Sequence, residues 1–339
     1  MMGFMKKMNA IQILSYGGPE LLSHSELNVP KPGQNEVLVH NAYSGINFID
    51  IYMRKGVYAN NRAYATSLPL TLGMEASGTV IAVGPGVANV RCNERVAFCL
   101  SPGTYSEYSV VPAWKLVKLP NFVDFQTGAA LMLQGSTAHY LSHSLFSLKK
   151  KHCCLIHAGA GGVGQLLIQL AKMLEAKVIT TVGNEKKANI VRGLGADVII
   201  PYKHVDFYEA VMEETGGLGV DVVYESVGKD TIEKSFSALK SKGTCVLFGF
   251  SSGAVTSINP QVMADAGSIF VTRPNLADYM ANATIISKRA TDLFSYLKEE
   301  KLKVNINQIF SITKAAAAQK LLESGQSSGK LLLQINNEH

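Results

Sequence analysis

His152 to Gly183 read HCCLIHAGAGGVGQLLIQLAKMLEAKVITTVG, and this stretch decides the fold. Cys153, Cys154, Leu155 and Ile156 are apolar on consecutive positions, as in a parallel strand buried on both faces rather than an alternating, half-exposed one. Gly159, Gly161 and Gly164 follow at G-x-G-x-x-G spacing. Small residues at those places permit a tight turn, close backbone approach to a pyrophosphate, and tight packing of helix on strand. Val163 to Leu174 has helical composition, and after Ala176 the β-branched run Lys177 to Val182 predicts a second parallel strand. A glycine turn alone occurs in many proteins; the flanking strand and helix make this one a dinucleotide site, with a phosphate expected on the helix N-terminus.

Working outward, the alternation of strands and helices begins near Gln134 and continues through Asp197 to Pro201, Asp221 to Glu225, Gly243 to Phe248 and Ser268 to Thr272. Six strands with intervening helices make a doubly wound α/β sheet whose ligand crevice lies at the carboxyl ends of the strands, which puts His157 to Gly164 there. From Met8 to about Leu133 the pattern is strand-like instead, with EVLVH at 36–40, the run Ala76 to Val83, RVAF at 95–98 and Tyr105 to Val111. Turn signals at Gly17-Gly18-Pro19, Lys31-Pro32-Gly33, Gly84-Pro85-Gly86 and Ser101-Pro102-Gly103 separate those runs, as in a β-rich domain. After about Tyr279 come helical stretches at Ala283 to Lys301 and Ala315 to Glu323 and a closing strand, Leu331 to Ile335, placed to rejoin the first domain. The expected division is 1–133 with 280–339 as the β-rich domain and 134–279 as the dinucleotide-binding domain.

A chain of 339 residues, 47% of them apolar, is long enough for two buried cores. Its net charge of +6 includes no window of five consecutive basic residues; the densest cluster is Lys149, Lys150 and Lys151. That argues against a nucleic-acid stripe and for basic groups meeting an anionic cofactor. The five cysteines form no C-x-x-C pair, and two lie in a predicted core strand, so neither a disulfide framework nor a zinc knuckle is expected. A reducing compartment fits, and with no secretory apolar core in MMGFMKKMNA and no run of membrane-spanning length, the expectation is a cytoplasmic protein without a membrane partner. No H-E-x-x-H occurs among the eight histidines, and no metal site is expected.

Cofactor preference is legible at the tip of the second strand, where an NAD site usually offers a carboxylate to the ribose hydroxyls. Here the tip is Val182-Gly183-Asn184, followed by Glu185, Lys186 and Lys187. A carboxylate about 4 Å from a 2′-phosphate would cost about 4 kcal/mol at an effective dielectric near 20, so its absence favours NADPH, as do the lysines. Glu185 is the counter-argument, and a second reading makes Asn184 a helix cap, Glu185 a complement to the helix dipole and the lysines solvated. His157, beside the glycine turn, reads as a strand-end histidine packed against a helix. The other dense cluster is GINFID at 45–50 with Tyr52, Arg54, Gly56 and Tyr58. Asn47 can bond a carboxamide, and Tyr52 and Tyr58 can stack on a flat ring or donate to its oxygen; the same residues also suit a β-domain corner with buried tyrosines.

These motifs, with GGPE at 17–20, TVG at 181–183, VVYESVG at 222–228, FGFSSGAVT at 248–256 and GSIFVTRPNL at 267–276, span the chain. The set resembles the zinc-free, zeta-crystallin-like quinone oxidoreductases of the medium-chain dehydrogenase/reductase superfamily. The resemblance implies a chaperonin-10-like (GroES-like) catalytic domain built from both chain ends, a Rossmann domain between them, NADPH in the interdomain cleft, and a homodimer joined through the Rossmann sheets. It places Asn47, Tyr52 and Thr137 around the nicotinamide and Gly161, Gly162, Val163 and Gly164 at the pyrophosphate. Gly183, Lys187 and Tyr202 fall at the 2′-phosphate end, and Ser226, Gly228, Phe248, Gly249 and Ser251 along the remaining cofactor path. By that resemblance, a cysteine of zinc-dependent relatives falls near Asn47 and a histidine at Met74, and this chain has neither ligand. It departs from the family at Gln134, usually lysine, and at Gly325, usually an arginine that meets the 2′-phosphate, although Lys330 lies close by. The stretch 59–67 is longer than usual and adds Tyr64.

The expected reaction is hydride transfer from NADPH to a quinone held flat by aromatic side chains, with Tyr52, Tyr58 and Gln134 on the acceptor side. Quinone reduction needs little acid help, so positioning and exclusion of water supply the catalysis, with Tyr52 and Asn47 as the candidate catalytic residues and Tyr52 as proton donor. A second reading is reduction of an α,β-unsaturated carbonyl, whose developing enolate needs a donor such as Tyr52 or Asn47. A third, from a different class, is a crystallin-like, RNA-binding role, against which the thin basic patch argues.

Overall fold

A computed structural model describes residues 6–64 and 66–336. The N-terminal MMGFM and, within the 59–67 stretch, Ala65 lie outside the described residues. The chain divides into two compact units, Met1–Gln134 with Met280–Lys298 and Val304–His339, and Gly135–Tyr279 with Glu299–Lys303.

Among the described residues of the second unit, six parallel strands form one sheet, in the order Val198–Pro201, Lys177–Val182, Cys153–Ile156, Val220–Glu225, Leu239–Leu247, Phe270–Thr272. The order reverses direction beside Cys153–Ile156, the strand that the apolar run predicts over the same residues, and this is the switch point of a doubly wound fold. Cys154, Leu155 and Ile156 are buried, as is every residue of Val220–Glu225, which explains their lack of polar alternation. The helix after the turn, Gly162–Met173, buries Leu166, Leu167, Ile168 and Leu170, each worth about 1.5–3 kcal/mol of apolar burial. Gln169 on that helix brackets Lys303: its amide nitrogen donates to the Lys303 carbonyl at 3.0 Å and its oxygen accepts the Lys303 N–H at 2.7 Å. A buried amide so satisfied accounts for Glu299–Lys303 clustering with this unit.

In the first unit, counted over the described residues, a seven-stranded sheet runs Ile306–Ser311, Lys330–Gln334, Glu36–Ile46, Glu75–Val83, Arg95–Cys99, Val117–Lys118, with Tyr108–Pro112 also paired to Glu36–Ile46. A three-stranded sheet joins Ser23–Asn28, Lys7–Ile13 and Leu70–Thr71. The closing strand pairs antiparallel with Glu36–Ile46, Leu331 opposite Ile46 and Leu333 opposite Ser44, so the chain's end returns to this unit. Val37, Val39, Ala76, Val80, Val96, Phe98 and Val111 form one of its cores.

Two elements differ from the sequence reading. GINFID opens a short helix, Phe48–Arg54, because Asp50 Oδ2 accepts the Asn47 N–H at 2.8 Å and holds the helix start. A helix, Phe125–Tyr140, runs where the change of pattern near Gln134 was read. It contains Gly128 and Gly135, weak helix formers, and Gly128 is needed small: a Cβ there would lie 3.0 Å from two methyl carbons of Leu119.

Candidate functional site

The second unit carries the glycine turn. Ala158 takes φ +52, Gly161 N–H closes the turn onto the Ala158 carbonyl at 2.9 Å, and Gly159 N–H donates to the Thr181 carbonyl at 3.1 Å. A Cβ on Gly164 would lie 2.6 Å from the Ala158 carbonyl oxygen and 2.8 Å from Gly159 Cα, so backbone packs on backbone there. Gly161 is the helix N-cap and makes no side-chain cap, which leaves the first-turn amides of Gly162, Val163 and Gly164 for an anion. The arrangement fits a dinucleotide pyrophosphate.

At the exit of the second strand the uncharged tip is kept. Val182 pairs with Pro201, so Gly183 and Tyr202 leave neighbouring strands together, and a Cβ on Gly183 would lie 3.3 Å from the Tyr202 hydroxyl oxygen. Asn184 caps the helix Glu185–Gly193 by accepting the Lys187 N–H at 2.9 Å. Burial first, and then the neighbouring Lys203 ammonium, holds the half-buried Lys187 below the ordinary lysine range. The cap is made by the Asn184 side chain and the Lys187 backbone, so the cap reading and the 2′-phosphate reading of this loop are compatible.

The residues expected along the cofactor path lie on two adjoining strand ends. Ser226 Oγ donates to the His157 carbonyl at 3.3 Å, Phe248 N–H to the Glu225 carbonyl at 2.9 Å, and Ser251 N–H to the Ser226 carbonyl at 3.1 Å. Gly228 has φ +92 and packs so closely that a Cβ would lie 2.6 Å from the Gly253 carbonyl; on Gly249 it would lie 3.0 Å from the Ser226 carbonyl. Glu225, fully buried, organises them: one oxygen accepts the N–H groups of Val227 and Gly228 at 2.7 and 3.1 Å, the other the hydroxyls of Thr231 and Ser235 at 2.8 and 2.6 Å. His157 is buried with Nδ1 3.1 Å from Thr181 Oγ1 and Nε2 3.0 Å from Ser235 Oγ. Burial lowers its basicity against the raising pull of Glu225, so it stays a neutral ring packed behind the turn. Thr137 lies buried on the helix Phe125–Tyr140.

The first unit carries the polar and aromatic cluster around the helix Phe48–Arg54. Tyr52 on the helix Phe48–Arg54 meets Phe48 at 6.0 Å between ring centroids and Tyr58 edge-on at 5.8 Å, and Tyr58 meets Tyr64 at 5.3 Å. Tyr64, in the longer stretch 59–67, is buried; Tyr52 and Tyr58 keep part of their surface. Gln134 sits on the helix Phe125–Tyr140, partly exposed. Asn47 is buried, its Oδ1 accepting from Lys330 Nζ at 2.7 Å and its Nδ2 donating to Glu75 Oε2 at 2.9 Å and to the Gly45 carbonyl at 3.2 Å.

Lys330, close to Gly325 in the sequence, is buried. Its ammonium is buried 2.6 Å from Glu75 Oε2. Gly325 takes φ +65 just after the helix Ala315–Glu323, where an arginine would be strained. Asp50 and Arg54, both within the cluster noted in the sequence, are buried with partners that the sequence did not reveal. Asp50 Oδ2 also accepts the Tyr105 hydroxyl, and Arg54, closed from solvent, bonds Gly17 O, Gln319 Oε1 and both Glu323 oxygens. Glu75 was not noted in the sequence; the one signal for it and for a buried Lys330 is a charge at an otherwise apolar strand, Glu75 in GMEASG and Lys330 in GKLLL. Among the described residues no group of three or more His, Cys, Asp or Glu side chains is placed to hold a metal ion.

Residues 33–121 match the family described as alcohol dehydrogenase GroES-like domain, and residues 162–294 the family described as zinc-binding dehydrogenase. The chain is 40% identical over 324 residues to a quinone oxidoreductase of Pseudomonas aeruginosa, covering 95% of this chain and 98% of the relative. It is equally 40% identical to a 2-haloacrylate reductase of a Burkholderia species, over 94% and 96% of the two chains. The structure of Escherichia coli quinone oxidoreductase complexed with NADPH superposes with a TM-score of 0.93 at 39% identity, covering 96% of this chain and 99% of the other.

Proposed function

The chain belongs to the quinone oxidoreductases of the medium-chain dehydrogenase/reductase superfamily, and we propose that it reduces a quinone with NADPH through the residues described above. One observation carries the reading: the likeness to a quinone oxidoreductase is 40% identity over 95% of this chain. NADPH, when bound, supplies the hydride. The open amides of Gly162, Val163 and Gly164 after Gly161 hold the pyrophosphate, and Lys187 and Tyr202, over the uncharged Gly183, hold the 2′-phosphate. Ser226, Gly228, Phe248, Gly249 and Ser251 line the remaining path, and Thr137 and Asn47 serve the nicotinamide. The acceptor rests against Tyr52 and Tyr58 with Gln134 beside them, and the Tyr52 hydroxyl is the proton donor to the reduced oxygen. Aromatic walls exclude water, so that positioning supplies most of the rate.

The likeness to a 2-haloacrylate reductase favours a second reading, reduction of an α,β-unsaturated carbonyl compound. NADPH oxidation followed against a panel of 1,4-quinones, 2-alkenals and 2-haloacrylates separates them. Turnover with quinones and little with the others is expected, and the reverse order overturns the quinone reading. The same proposal includes a homodimer and a cytoplasmic setting. Phe270–Thr272, at the sheet edge with Phe270 62% exposed, supports association through the Rossmann sheet, and five free thiols support a reducing compartment. Light scattering after size exclusion tests the dimer: a mass near one chain overturns it.

A further inference from the structure

The first unit buries the ion pair Glu75–Lys330, with 0% and 1% side-chain exposure, against the carboxamide of Asn47. A buried ion pair adds little stability over apolar residues of similar volume, because desolvation cancels most of the Coulomb attraction. What this one supplies is orientation. Lys330 only donates and an ionised Glu75 only accepts, so with Lys330 Nζ 2.7 Å from Asn47 Oδ1 and Asn47 Nδ2 2.9 Å from Glu75 Oε2 the amide has one allowed setting. The second carboxylate oxygen accepts the Leu133 N–H at 2.6 Å, on the helix Phe125–Tyr140 one residue before Gln134. Gly45 makes room: a Cβ there would collide with the Glu75 carboxylate and the Ala129 carbonyl.

We propose that Glu75 and Lys330 are positioning residues for the reaction, fixing the direction of the Asn47 carboxamide. The inference rests on the role given to Asn47 above. It predicts that neutralising the pair lowers turnover while NADPH binding, which depends on the glycine turn and Lys187, persists.

The test uses the full-length wild type, the shape-conserving double variant Glu75→Gln/Lys330→Met, Asn47→Ala and the triple variant. Expected for the double variant are an NADPH Kd within about twofold of wild type and a kcat about tenfold or more below it. Asn47 side-chain amide protons, identified as the resonances missing from Asn47→Ala, exchange about tenfold faster or more in the double variant. In the Asn47→Ala background the double substitution changes kcat by less than about twofold, since both act through one group. Unchanged kcat, unchanged amide protection, or a full effect in the Asn47→Ala background overturns the proposal. Where the double variant melts early, Lys330→Arg, which keeps the charge but alters its donor geometry, is read by the same criteria. A wild type that oxidises NADPH with neither quinone nor enone overturns the functional reading itself, and the inference with it.

Discussion

Asp50 Oδ2 accepts the Tyr105 hydroxyl at 3.0 Å inside the first unit, while Asp50 Oδ1 has no hydrogen-bond partner among the described residues. Burial pushes this carboxyl up to about 7, against the lowering effects of the Asn47 N–H, the Lys330 charge and the Tyr105 hydroxyl. An unfolded aspartate ionises near 3.8, so between about pH 4 and pH 7 the native state keeps a proton that the unfolded state has lost. The Asp50 contribution to stability is therefore full at low pH and falls as pH rises through that window, by about 1.4 kcal/mol per pH unit at most. Asp50→Asn keeps the shape and an acceptor. Relative to wild type, its stability should improve on the order of 4 kcal/mol between pH 4 and pH 8 in urea unfolding; parallel pH profiles would refute the assignment.

Arg54 ties the helix Phe48–Arg54 to the helix Ala315–Glu323 through Gln319 Oε1 at 2.8 Å and a fork onto both Glu323 oxygens at 3.0 Å. Arg54→Met keeps the stem but strands those acceptors and the Gly17 carbonyl, and should cost about 2–4 kcal/mol in denaturant unfolding. Arg54→Lys should recover only part, because an ammonium cannot reproduce the fork. Full recovery by lysine would show that charge alone suffices.

Gly164→Ala places a methyl against backbone atoms of Ala158 and Gly159, so the turn itself must move. Loss of even one charge-assisted amide bond to the pyrophosphate predicts at least about tenfold weaker NADPH binding, measured by cofactor fluorescence. Gly193→Ala is the contrast: nothing lies within 4 Å of its Cβ at the end of the helix Glu185–Gly193, and the change should add about 0.5–1 kcal/mol with no effect on binding. Equal effects of the two substitutions would mean that the turn has no special fit to the cofactor.

Lys187→Ala leaves the helix cap in place, since Asn184 accepts the backbone N–H. Only the ammonium is lost. NADPH affinity should fall about 10–100-fold and NADH affinity stay level, as expected for one charge-assisted bond to a 2′-phosphate. A parallel loss for both nucleotides would place Lys187 elsewhere.

The sheet, the glycine turn and the uncharged exit at Gly183 were legible in the sequence because their signals are local. An apolar run, glycines at fixed spacing and a β-branched run each act over a few residues, and Cys153–Ile156 and Lys177–Val182 form over the residues that those signals mark. Phe48–Arg54 was harder, since seven residues show less than two turns of periodicity and the helix start depends on Asp50 reaching back to Asn47. Phe125–Tyr140 was read as a change of domain because Gly128 and Gly135 lower its helical composition; packing against Leu119, not propensity, makes Gly128 fit.

By itself, then, the sequence determined the doubly wound unit, its glycine turn and the uncharged strand exit at Gly183. Only the tertiary structure decided that Lys330 turns inward to Asn47 and Glu75, which lie 283 and 255 residues before it. Local pattern carries no information about which buried charges meet across such separations. The closing strand, pairing with Glu36–Ile46, delivers Lys330 beside an acceptor already enclosed in the first unit, where leaving either charge unpaired would cost far more than pairing it.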